Sequence, residues 1–239
     1  MRTPSYSSIN THHTCPRKYK YRYVDEIKYI YTPAADAPDL IGKVFHLGME
    51  KDIAHAEKYY FDMFPVVSDQ QITEWMKINR YLERGHKYLR HLDVKHREFD
   101  IDIDDFRGII DLVTDNHDGT VDIWDYKYCS EKSVDAYAKN EQLHLYKYFY
   151  EKVTGERVGN IRLLIFPKVF SKQRSDESVI QFRNRVMSEL DDKKILKVSI
   201  CYSEMMLKSF AMKVETRNND KLLNSAKGDH CEWCEYKKK

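Results

Sequence analysis

The chain has 239 residues, 42% hydrophobic and 33% charged, with a formal net charge of +2. That length suits one large domain with a core of its own. No apolar run approaches the ~20 residues that a helical membrane span needs. The opening "MRTPSYSSINTHHTCPRKYKYRYV" has no apolar signal core, and five cysteines do not pair into a disulfide framework. The expectation is therefore a cytoplasmic protein whose cysteines stay reduced or hold metal.

In chain order, Ser7 or Ser8 is placed to cap a helix running to about Val24. Within it, "CPRKYKYRY" gathers Arg17, Lys18, Lys20 and Arg22 among tyrosines, and the chain closes on Lys237, Lys238 and Lys239. Interleaved cations and aromatics suit phosphates and unstacked bases, although a solvated helix face has the same composition. After a loop with Pro33 and Pro38, residues 39–64 read as one long helix, apolar on the face of Val44, Leu47, Ile53 and Ala54. Residues 69–92 read as a second helix.

The period then changes from helical to alternating. "KHREFDIDID", "RGIIDLVTD" and "TVDIWDYKY" read as three strands, the last two joined by the turn "NHDG". One helix follows over 133–155, ended by Gly155, and then a buried strand in "NIRLLIFPK". Beyond Ser171 the pattern gives a helix around 176–190, a strand near 195–202, another helix and a cysteine-bearing tail. The order implies an α/β fold with a mixed central sheet flanked by helices.

The hairpin carries the chemistry. With a three-residue turn, Asn116 pairs with Thr120 and Asp111 falls opposite Asp125, on one face with Cβ atoms ~5 Å apart. Lys127, two residues further on, points the same way. Two like charges so close repel unless a cation lies between them. Carboxylate oxygens suit Mg²⁺ or Mn²⁺, and the backbone carbonyl of Tyr126 could add a ligand. An acid two residues before a lysine is common in this chain, as in Glu26–Lys28 and Asp93–Lys95. What singles out Asp125–Lys127 is the strand "RGIID" facing the apolar lead-in "VDIWDYK". The competing account is a solvated hairpin face cross-linked by salt bridges. For His46 taken alone, it is a core histidine.

Taken in order, these segments resemble the RecB-like branch of the PD-(D/E)XK nuclease superfamily. That branch includes the nuclease domains of recombination helicase–nucleases, CRISPR-associated exonucleases and stand-alone phage versions. "YSSINTHHTCPRKYKYRYV" is similar to its opening helix and "IGKVFHLGME" to its glycine-to-histidine helix motif. "GIID" and "DYK" resemble its metal-binding acid and acid-x-lysine. "QLHLYKYF" is similar to its glutamine-to-tyrosine motif and "HCEWCEY" to its C-terminal cysteine pair. The resemblance implies a restriction-endonuclease-like core forming a single domain over 1–239. It implies that His46, Asp111, Asp125 and the Tyr126 carbonyl bind Mg²⁺ or Mn²⁺, and that Asp111, Asp125 and Lys127 are catalytic. Gln142, Tyr146, Arg17 and Lys18 would contact substrate, and Glu98 on the preceding strand would support the metal shell.

The same resemblance implies that Cys15, Cys231 and Cys234 ligate a structural [4Fe–4S] cluster, joining residues 1–30 and 225–239 into one subregion. The fourth cysteine has no match in this chain. A zinc site completed by His230, His12 or His13 and three free thiols are the alternatives. Cys129 and Cys201 match no motif and read as ordinary thiols. The implied function is a metal-dependent DNA exonuclease of recombination, repair or phage DNA processing. It would act on single strands or duplex ends, as a homo-oligomer or with a recombination or replication partner. A CRISPR nuclease trimming spacer ends and a non-catalytic DNA-binding module with a relict site are the alternatives.

Overall fold

The computed structural model describes residues 3–28, 32–220 and positions 231, 234 and 236. The chain begins with α1 (Tyr6–Thr14), α2 (Pro16–Tyr19) and a π-helical turn over Lys20–Val24. The expected single helix is thus broken at Cys15, whose backbone is extended and whose sulfur caps α2 ahead of Pro16. A proline at the first helical position starts a helix but cannot continue one. The cap of α1 is Ser5, not Ser7 or Ser8; it forms a reciprocal capping box with Ser8.

The expected helix over 39–64 is likewise two, α3 (Pro38–Glu50) and α4 (Ile53–Phe61), separated at Lys51–Asp52. Asp52 is extended and caps α4 through the His55 N–H. The break resets the helical phase, so Ile53 and Ala54 do not extend the α3 face. That face is Ile41, Val44, Phe45, Gly48 and Met49, with Leu47 only half-buried. α5 (Asp69–Leu89) follows the expected course.

β1 (Val94–Ile103), β2 (Phe106–Asp115) and β3 (Thr120–Cys129) are the three expected strands. The chain then makes a 3₁₀ turn over Glu131–Ser133, α6 (Val134–Ala138) and α7 (Gln142–Thr154). The helix expected over 133–155 is therefore interrupted at 139–141, where the Asn140 side chain accepts from the Gln142 N–H. β4 (Arg157–Pro167), α8 (Val179–Asp192), β5 (Leu196–Ile200) and α9 (Glu204–Asn219) complete the described elements.

Among the described residues the strands form one sheet in the order β1-β2-β3-β4-β5. β3 and β4 are parallel and the other neighbours antiparallel. A parallel pair needs a crossover, and α6 and α7 supply it. Alternate side chains leave opposite faces of a strand. Leu112, Trp124, Tyr126, Leu164 and Phe166 pack under α3, α4, α5 and α8. Val113, Ile123, Leu163 and Ile165 pack against α7, Ile9 of α1 and Phe210 of α9. No helix among the described residues is long and apolar enough to cross a membrane.

The β2–β3 ladder is short. It runs from Asp115↔Val121 to Leu112↔Trp124 and stops. Past that point β2 stays paired with β1 and β3 with β4, as in Gly108↔Ile101 and Lys127↔Ile165. The two strands fork, and the next facing pair is Asp111 and Asp125. Gly108 lies on one arm of the fork, where a Cβ would come within 2.7 Å of the Tyr146 ring of α7. Only glycine lets that ring approach.

Candidate active site

The hairpin register is the expected one. The Asn116 N–H donates to the Thr120 carbonyl at 3.1 Å, with His117 (φ 59°) and Gly119 (φ 83°) making the turn. Asp111 and Asp125 consequently face each other at the fork, 7% and 2% exposed. Where a ladder bond would continue, the Tyr126 N–H donates to Asp111 Oδ2 at 2.6 Å. A side-chain carboxylate thus replaces a backbone carbonyl at the point of separation.

α3 passes the fork and brings His46 Nδ1 to 3.2 Å from Asp111 Oδ1. Lys127 Nζ lies 2.6 Å from Asp125 Oδ2 and 5.5 Å from the centre of the Tyr137 ring. Asp125 Oδ2 is nonetheless a buried oxygen without a directed hydrogen bond, so the lysine meets it obliquely. His46, Asp111, Asp125 and Lys127 therefore converge.

Glu98 also belongs to the cluster. His46, Glu98 and Asp111 each offer a ligand atom, and these atoms lie within 4.8 Å of one another. Asp125 stands outside that triple, on the Lys127 side. Arg97↔Leu112 and Phe99↔Ile110 bracket Glu98 and Asp111, so one cross-strand row holds Glu98, Asp111 and Asp125. Glu98 has φ 48°, a left-handed conformation that costs a non-glycine residue on the order of 1 kcal/mol or more. Its Oε1 is buried and without a hydrogen bond. The signal for Glu98 was in the sequence: a two-residue turn at Asp104–Asp105 counts Glu98 directly opposite Asp111.

The charges are strongly coupled. Burial alone would raise the Asp111 carboxyl, but His46, Lys127 and the Tyr126 N–H hold it below its ordinary value. Burial raises Asp125, and repulsion from Asp111 adds to this against the pull of Lys127. Burial and Asp111 push Glu98 up to about 7. His46 is driven to about 9 because Asp111, by charge and hydrogen bond, outweighs its burial. Lys127 is raised in the same way by Asp125 and Asp111 against its own burial. Of the three acids, two resist ionisation, and Glu98 Oε1 and Asp125 Oδ2 are buried without a directed hydrogen bond. One imidazole and several carboxylates suit a divalent cation such as Mn²⁺ or Mg²⁺, so the residues present fit a metal.

Gln142 and Tyr146 lie on the first turns of α7, where Gln142 Nε2 donates to the Tyr146 hydroxyl at 2.9 Å. Burial raises the Tyr146 phenol, with Asp125 and Asp111 among the charges acting on it. α1 also begins at the site. The Arg107 N–H donates to the Pro4 carbonyl at 2.8 Å, and the charges acting on the half-buried Tyr6 phenol include Glu141, Lys127 and Asp125. Arg17 is exposed and Lys18 half-buried on α2.

Cys15 is buried, and its Sγ accepts from the Lys18 N–H at 3.4 Å. Cys231 and Cys234 are half-buried, and Cys234 Sγ accepts from the Tyr236 N–H at 3.4 Å. Tyr236 reaches the N-terminal segment through the Ile27 carbonyl, at 3.4 Å, and the Tyr21 ring, at 5.4 Å between centres. His230 and Lys237–Lys239 lie outside the described residues. His12 is buried 3.1 Å from Asp220. Cys129 is buried and Cys201 exposed.

A mixed sheet that forks over buried acids and a lysine defines a class, and the sequence profile agrees. The profile of the PD-(D/E)XK nuclease superfamily matches residues 3–238, and the chain belongs to that superfamily. Among solved structures it is similar to the crystal structure of the "Putative exonuclease" from Eubacterium rectale. The TM-score is 0.58 at 13% sequence identity, over 97% of this chain and 85% of that one. At this identity the likeness speaks for the fold. No curated protein matches the sequence.

Proposed function

We propose that this chain is a divalent-metal-dependent DNA exonuclease of the RecB-like branch, acting in recombination, repair or phage DNA processing. The observation that carries the reading is the convergence of His46, Glu98, Asp111, Asp125 and Lys127 at the β2–β3 fork, with Glu98 Oε1 buried and unbonded and the buried Asp125 Oδ2 met by Lys127. Neither decay of the site nor a solvated hairpin explains acids at this depth, because buried carboxylates left incompletely paired cost several kcal/mol.

His46, Glu98, Asp111, Asp125 and the Tyr126 carbonyl would hold Mg²⁺ or Mn²⁺. Such an ion lowers the pKa of bound water and offsets charge on the phosphoryl oxygens. Lys127 supplies N–H donors and positive charge beside the same phosphate. It orients the attacking water and stabilises the anionic transition state. Gln142 and Tyr146 form a hydrogen-bonded wall that contacts the nucleotide being cleaved, and Arg17 and Lys18 bind phosphates further along the strand. The Tyr126 N–H holds Asp111 in place throughout.

We read the chain as one nuclease domain. Residues 1–30 and 225–239 form a subregion in which Cys15, Cys231 and Cys234 ligate a [4Fe–4S] cluster, leaving one position to be supplied. N–H groups already directed at Cys15 and Cys234 support this, since donors to sulfur stabilise thiolate ligation. The test is cleavage of labelled linear and closed circular DNA with Mg²⁺, Mn²⁺ or chelator. Metal-dependent loss of linear DNA alone is the expected result, and no cleavage with either metal overturns it. Absorption in the visible for anaerobically purified protein tests the cluster, and a colourless, iron-free protein overturns it.

A further inference from the structure

A groove of about 640 Å³ opens beside the fork, between the C-terminal end of α3, the start of α4, the end of α5 and β1. Lys51, Arg90 and Arg97 line it, and all three are exposed. Among the described residues none of them forms an ion pair within 4 Å. The two acids of the groove are engaged elsewhere. Asp52 takes the ring and backbone N–H of His55, each at 2.9 Å, and Glu83 takes Arg80 at 3.1 Å. Ile53, Ala54 and Leu89 give the groove an apolar floor.

The groove is joined to the site by structure. Arg97 directly precedes Glu98, and its guanidinium donates to the Met49 carbonyl at 2.9 Å. His86 Nε2 sits 2.9 Å from the Gly48 carbonyl. These two side chains hold the last turn of α3, about 4.5 Å along the axis from His46 at 1.5 Å per residue. Cations without a carboxylate partner over an apolar floor, at the end of the helix that carries His46, suit a phosphodiester backbone whose sugars and bases lie against the floor.

We infer that this groove receives backbone phosphates of the substrate strand next to the scissile phosphate, with Lys51 and Arg90 as the phosphate contacts and Arg97 holding both the groove and α3. The inference rests on the nuclease reading but is read separately from cleavage. The experiment uses the full chain and its Lys51→Gln, Arg90→Gln and double variants, with Arg97 left in place to keep α3 anchored. Binding of a fluorescein-labelled single-stranded oligonucleotide is followed by anisotropy without divalent metal at several salt concentrations.

Each neutralised cation is expected to reduce the steepness of log K against log salt by about 0.7. In cleavage assays the double variant is expected to raise KM on the order of tenfold, because lost phosphate contacts weaken binding whatever the sequence, with kcat held within about twofold. Charge reversal, Lys51→Glu with Arg90→Glu, is expected to raise KM further. A folded double variant with wild-type salt dependence and KM overturns the groove assignment while leaving the nuclease reading intact. A wild-type protein that cuts nothing overturns the nuclease reading, and the salt dependence still tests the groove.

Discussion

Asp122 and Asp125 lie three residues apart on β3, 3% and 2% exposed, yet their surroundings are opposite. Asp122 accepts from Asn116 Nδ2 at 2.9 Å, the Asn160 N–H at 3.0 Å, Asn160 Nδ2 at 2.8 Å and Arg162 Nε at 2.6 Å. These donors overcome its burial and hold its carboxyl below the ordinary value. Asp125 has one lysine, which meets Oδ2 at 2.6 Å without a directed hydrogen bond, and a raised carboxyl. A buried acid with a full set of donors ties strands together. A buried acid without one is kept at the expense of stability, which the proposed metal site would account for.

The sharpest way to break this contrast is to disable each cluster in turn. Asp111→Asn and Lys127→Ala are expected to lower the cleavage rate of the folded protein about a thousandfold. Steady-state assays beside thermal melts check this, and an intact Lys127→Ala protein cutting at near wild-type rate removes that lysine from the mechanism. Asp122→Ala is expected to do the reverse. Asn116, Asn160 and the half-buried Arg162 lose their shared acceptor, which costs about 3 kcal/mol in urea unfolding, and the fraction that remains folded keeps its turnover.

Acid titration sharpens the contrast by sign. Asp122 has a depressed carboxyl, so its contribution is complete above its ordinary value of 3.8 and is lost as pH falls through the lower folded value. Asp125 has a raised carboxyl, so its contribution is present below 3.8 and is lost as pH rises through the folded value. In metal-free protein, Asp122→Asn is expected to flatten the acid limb of stability against pH. Asp125→Asn is expected to raise stability at neutral pH. Urea midpoints across the acid range measure both.

Metal addition should divide the clusters again. Mn²⁺ at a hundredfold its dissociation constant adds about 2.7 kcal/mol. Glu98→Gln is expected to lose much of that gain, and Asp122→Asn to keep it. The smallest effect belongs to Glu98→Gly. It removes the left-handed strain at φ 48° and is expected to stabilise the metal-free protein by about 1 kcal/mol, readable as a small rise in melting temperature.

Much of this arrangement was legible from residue order. Alternation fixed β1 to β3, the "NHDG" turn fixed their register, and register alone brought Asp111 opposite Asp125 with Lys127 beside them. Glu98 stood less clearly because its place depends on the turn at Asp104–Asp105 and on a backbone conformation that no side-chain pattern announces. The helix breaks were hidden because apolar spacing runs on through Cys15, Lys51–Asp52 and 139–141, while the local caps at Cys15, Asp52 and Asn140 stop the hydrogen-bond ladder. The separation of β2 from β3 was not legible either. It arises from Tyr146 packed over Gly108 and a carboxylate taking a backbone donor, both products of tertiary contact.

Because the ladder ends at the acids, the site straddles a seam. Glu98 and Asp111 ride on the β1–β2 ribbon, whereas Asp125 and Lys127 belong to the strands fixed to β4. A small slide of one ribbon against the other pulls the constellation apart with every strand still folded. On the proposed reading, competence is expected to depend on closure of that seam, and hydrogen exchange at the Tyr126 amide, which donates to Asp111, would report it.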